Sequence, residues 1–82
     1  MDRATILNFS EQPCKFRLRS GKDVFGVIWE TMKQDRVVHY FASTVERIRI
    51  KKAEEVNDLE TCTRLITEVD IEEIVSAEPL VQ

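Results

Sequence analysis

The groups in this 82-residue chain suited to metal or nucleophilic chemistry are few: Cys14, Cys62 and His39. A zinc site needs several ligands at set spacings, and the two cysteines stand far apart with no C-x-x-C pair. His39 lies inside the apolar run V-V-H-Y-F-A, a setting that favours a packed strand histidine over a catalytic base. Ser10, Ser20, Ser43 and Ser76 have no G-x-S-x-G elbow around them. Catalytic, metal and cofactor sites are therefore not expected, and neither is an enzyme. Two free thiols suit a reducing, cytoplasmic compartment.

The charged groups are more numerous. Lys15, Arg17 and Arg19 alternate along one segment, with Lys22 beyond, and such a stripe could bind phosphates. Glu68, Asp70 and Glu72 alternate in the same way near the other end, followed by Glu73 and Glu78. Catalytic carboxylates need burial or close pairing, and acids alternating on a strand face have neither. The net charge is −3, unevenly spread: residues 1–52 carry 11 basic and 6 acidic side chains, residues 53–82 carry 1 and 9. The two halves are expected to neutralise each other, with Lys15, Arg17 and Arg19 facing Glu68, Asp70 and Glu72 across a seam between first and last strands. Arg47, Arg49, Lys51 and Lys52 read as a solvated face. Trp29, near Met32 and with Tyr40 further on, is the candidate for a partner contact, because Trp and Tyr carry interface energy.

These side chains need elements to hold them. At 82 residues, with 43% apolar and 33% charged side chains, the chain reads as one small globular domain, 1–82. No apolar run reaches the ~18 residues of a membrane span, and no secretory signal is evident at the start. The segment C-K-F-R-L-R (14–19) alternates with period two and predicts a half-buried strand. Gly21 suits a turn with positive φ. V-F-G-V-I-W (24–29) is apolar on both faces and predicts a central strand, with Gly26 marking a bend. A polar loop is expected over 30–36, then a third strand over 37–42.

Residues 43–58 offer two patterns. Ser43 and Glu46 fit a capping box, which favours a helix. Ile48 and Ile50 alternate, which would suit a strand, but the expected state of 43–58 is a helical insertion between strands three and four. Residues 65–75 are strand-like, with a break at Glu72-Glu73. Pro79 is expected to stop the element, and the tail, about 77–82, to be mobile. Residues 2–9 suit either a helix capped by Asp2 or an edge strand.

The spacing Leu18-x-x-Gly21-x-x-Val24-x-Gly26 resembles the first signature of the Sm-like small β-barrels. Ile66, Ile71 and Ile74 have the apolar spacing of the second. The likeness covers 14–42 and 65–75 and implies a bent antiparallel barrel of four to five strands, with 43–58 inserted. The family's RNA site does not carry over. Its Asp-x-x-x-Asn is missing from 29–36, and Thr67 and Glu68 stand where it has Arg-Gly. The expected function is a non-catalytic interaction module that binds a protein or itself through Trp29, Met32 and Tyr40. The alternative is single-stranded RNA binding through Lys15, Arg17, Arg19 and Lys22.

Overall fold

In the computed structural model, which describes residues 1–80, the chain folds as a bent five-stranded antiparallel sheet with three helices. The strands are β1 (Cys14–Leu18), β2 (Asp23–Lys33), β3 (Arg36–Ala42), β4 (Thr67–Val69) and β5 (Ile74–Pro79). The helices are α1 (Arg3–Leu7), α2 (Thr44–Glu55) and α3 (Leu59–Leu65). The strand order is β4-β3-β2-β1-β5.

β1 turns into β2 at Gly21, whose φ of 90° is the left-handed conformation that glycine adopts without strain. The Gly21 N–H donates to Leu18 O and the Leu18 N–H to Lys22 O, both at 2.9 Å. β2 then runs for 11 residues and changes partner half-way: Gly26 pairs with Cys14 of β1, and Val27 with Ala42 of β3. A Cβ on Gly26 would collide with the Ala42 carbonyl oxygen and stand 2.9 Å from two Phe41 ring carbons. The missing side chain is what lets one half of the sheet fold over the other.

The polar loop expected over 30–36 is instead the end of a long hairpin. Pairing continues through Trp29↔Tyr40, Met32↔Val37 and Lys33↔Arg36. Gln34 and Asp35 make the whole turn, with φ of 50° and 61°. Two successive left-handed residues match the twist of the flanking strands. The usual Asn-Gly or Asp-Gly signal is absent, so the hairpin was hidden among polar residues.

The sheet is not closed into a barrel, which corrects that part of the expectation. β4 has three residues, and all three pair with β3. A 3-10 turn (Ile71–Glu73), capped by the Asp70 side chain on the Glu72 N–H, then carries the chain to β1. The strand expected over 65–75 is thus two strands at opposite edges, broken where the alternation fails. β5 extends to Pro79, and the Leu80 N–H donates to Pro13 O at 3.0 Å. Residues 77–79 of the expected tail are therefore strand, while Val81 and Gln82 lie outside the described residues.

The capping box at Ser43 and Glu46 prevails in the middle segment. Ile50 is fully buried while Ile48 is 54% exposed, so the alternation that suggested a strand falls on opposite faces of α2. Asn57, at φ 57°, ends that helix, and Asp58 caps α3 through the Thr61 N–H. At the start of the chain Asp2 caps α1 through the Thr5 N–H, so the helical alternative holds there.

Two cores flank the sheet. Val27, Trp29 and Ala42 pack against Ile50 and Ala53 of α2 and Cys62 of α3. Ile28, on the other face of β2, joins Ile6, Cys14, Phe16 and Ile74 inside the bend. This is why 27–29 is apolar at successive positions, each alternate side chain serving a different core, whereas Phe25 is 57% exposed and serves neither.

Candidate interaction surfaces

The basic stripe lies on the outer face of β1, and its cations are engaged nearby. Arg17 stands opposite Asp23 in the β1–β2 register, and its Nε and Nη2 donate to the carboxylate at 2.8 and 3.1 Å. The hydrogen bonds from this guanidinium hold the Asp23 carboxyl below its ordinary range. Lys15 stands opposite Glu78 of β5, with Nζ 3.2 Å from the carboxylate. Arg19 Nε donates to the Glu72 carbonyl at 2.8 Å. First and last strands are indeed neighbours, but the partners differ from those expected. Glu68 sits on β4, 3.8 Å from Lys33, while Asp70 and Glu72 belong to the 3-10 turn region. Their two-residue spacing came from different elements rather than from one strand. Lys22 is exposed in the turn.

Trp29 does not stand at an open lip. It is 8% exposed beneath α2, edge-to-face with the half-buried Tyr40 at 5.9 Å between ring centroids. Arg47 of α2 lies over the indole, its guanidinium carbon 4.0 Å from the ring centroid, a cation–π contact. Its Nη2 donates to Glu11 at 2.9 and 3.2 Å, which ties α2 to the loop before β1. Trp29 and Tyr40 thus fasten the helices to the sheet. Met32 is the accessible member of the three, 63% exposed at the hairpin end opposite Val37.

The polar groups next to Trp29 and Tyr40 in the hairpin are also structural. Glu30 accepts two bonds from Arg3 at 2.6 and 2.9 Å, and these hold its carboxyl below the ordinary range. His39, buried on the opposite strand, has Nε2 3.2 Å from Glu30 Oε1 but outside hydrogen-bonding geometry. The Met1 ammonium donates to the carbonyls of Ile71 and Ile74 at 2.8 and 2.7 Å, and so binds α1 to the start of β5. Cys14 and Cys62 are free and buried, and burial pushes the Cys14 thiol up, away from thiolate chemistry. Among the described residues no three His, Cys, Asp or Glu side chains gather to hold a metal, and no helix is long and apolar enough to cross a membrane.

The open side of the bend is the largest departure from what the sequence suggested. Between the inner faces of the sheet lies an apolar cavity of about 350 Å3. Phe16, Leu18, Val24, Ile28 and Phe41 line it, together with Val69, Asp70, Glu73 and Ile74 from the stretch that runs from β4 to β5. The apolar positions were legible, but a cavity depends on the sheet staying open, which no local pattern encodes. Compared with known proteins, the chain matches no family model, no curated protein and no solved structure.

Proposed function

We propose that the chain is a non-catalytic interaction module of the small bent-sheet kind, whose partner is a protein, either another chain or a second copy. The observation that carries this reading is the unclosed sheet: β4 and β5 each pair on one side only, and an apolar cavity opens beside them. Unpaired strand edges and contiguous apolar surface are what protein partners use. Met32 and Val37 add an exposed apolar pair at the hairpin end. The spacing of Leu18, Gly21, Val24 and Gly26 keeps the likeness to Sm-like barrels within the proposal, as a likeness of packing. A cytoplasmic setting belongs to the same proposal, supported by two free thiols.

The engagement of Lys15, Arg17 and Arg19 by neighbouring groups weighs against an RNA surface. The test is retention on a single-stranded RNA column across a salt gradient. The module is expected to pass through at about 0.15 M salt. Retention that falls steeply with salt, and that is lost in Lys15→Glu/Lys22→Glu, would overturn the reading in favour of RNA binding.

A further inference from the structure

The cavity inside the bend has walls of graded exposure. Phe16, Ile28 and Ile74 are buried, and Leu18, Val24, Phe41 and Val69 are half-buried. Thr67, Asp70 and Glu73 are exposed, so the polar groups of the lining stand where the cavity meets solvent. The walls are held by the fold itself. The Phe16 and Phe41 rings meet edge to face with centroids 6.4 Å apart, and Phe41 also lies against Gly26 of β2. The volume, about 350 Å3, is more than twice the ~150 Å3 of an apolar cavity that takes up benzene. What can fill it follows from what the walls lack. Among the described residues no cation lines it. Arg19 lies beside it, but its Nε donates to the Glu72 carbonyl and its backbone N–H to the Glu73 carbonyl, both at 2.8 Å. A carboxylate or phosphate inside would lose its hydration and gain no partner. A protein segment would bring backbone N–H and C=O groups against walls that cannot pair with them. A single aromatic side chain would fill less than about half of the space.

We propose that the cavity is a binding site for one uncharged, hydrocarbon-like small molecule of roughly ten to fourteen carbons, with at most a hydroxyl at one end. Burial of its carbons against the aromatic and branched side chains drives binding. A hydroxyl at the solvent side can bond to Thr67, Asp70 or Glu73, the polar groups that the lining offers. The site goes beyond the protein-partner reading and does not depend on it. The outer edges of β4 and β5 and the Met32–Val37 pair are other atoms, and they stay available to a partner while the cavity is filled.

Fluorescence titration of the whole chain with the uncharged dye N-phenylnaphthylamine tests this, with decanol and decanoate as competitors. The dye is expected to brighten, to saturate at a single site per chain and to be displaced by decanol. Decanoate is expected to compete at least about tenfold more weakly, because its charge has no partner in the walls. Val24→Phe and Val69→Phe each put a ring into the cavity from a different strand. Each is expected to weaken dye binding at least about tenfold, with circular dichroism to show that the variant is folded. Methyl NMR of the wild type needs no variant: decanol is expected to shift Leu18, Val24, Ile28 and Ile74 and to leave Val45 and Val56 of α2 unmoved. A dye signal that never saturates, methyl shifts that spread over α2, or folded variants that bind like the wild type overturn the site. Decanoate that binds as well as decanol overturns the assignment to an uncharged ligand.

Discussion

Gly26 carries more of the architecture than any other single residue. It is not a turn glycine, since the strand continues on both sides of it. The requirement is space for the Ala42 carbonyl and the Phe41 ring, where the partner of β2 changes from β1 to β3. Gly26→Ala is therefore expected to destabilise by about 1–3 kcal/mol, measured as a lower urea midpoint at unchanged slope. A midpoint equal to the wild type's would show that the sheet can bend without this close approach. The second residue-scale case is Arg17. Reversal to Glu places it against Asp23, and Asp23→Arg should then recover part of the loss, whereas Asp70→Arg should recover none. The same pair fixes a sign for pH. The folded pKa of Asp23 is depressed, so its stabilising contribution is present above the ordinary value of 3.8 and fades as pH falls through the folded value. Arg17→Gln should flatten the acid limb of the stability profile there. An acid limb identical to the wild type's would mean that the exposed pair contributes nothing.

At the scale of elements, the helices show which local signals can be trusted. The capping box at Ser43 satisfies two backbone N–H groups that α2 itself leaves free, and Ser43→Ala should cost about 0.5–2 kcal/mol in a thermal or urea melt. No loss would mean that packing of Ile50 and Ala53 alone holds the first turn. This cap, the Gly21 turn, the alternation of β1 and the β2 bend were all legible, because each rests on residues within a few positions of one another. α3 was half legible: Asn57-Asp58 reads either as a stop or as the cap of a following short turn, and that turn is the seven-residue helix α3, capped by Asp58 on the Thr61 N–H. The β2–β3 turn was missed because Gln34 and Asp35 adopt positive φ without a glycine to announce it. The split of 65–75 into β4, a 3-10 turn and β5 was only half legible. Glu72-Glu73 marked a break, but the assignment of its two sides to opposite sheet edges comes from pairing with β3 and β1. The same limit applied to the candidate surfaces. Trp29 and Tyr40 were singled out as partner contacts because sequence shows an aromatic at a strand end, and cannot show α2 lying on top of it with Arg47 over the ring.

On the scale of the whole molecule, β2 makes two cores into one cooperative body. Trp29 reports on the helix-side core, and the Cys14 thiol reports on the interior of the bend. The two cores share no buried side chain, yet Val27, Ile28 and Trp29 are consecutive residues of one strand, and each alternate side chain is anchored in a different core. Undocking α2 and α3 would leave Trp29, Val27 and Ala42 facing water, and would free the Glu11 loop that Arg47 holds beside β1. Loosening the bend would in turn pull the β2–β1 half away from the strand on which the helices sit. Neither core can therefore open without exposing the backbone that organises the other. The expected outcome is that Trp29 fluorescence and the labelling of Cys14 by a thiol reagent follow one transition in urea, with a common midpoint and slope. A red shift of Trp29 at lower urea, with Cys14 still protected, would show that α2 and α3 form a separately melting layer. The helix-side core would then belong to a unit that can detach, and not to a rigid body.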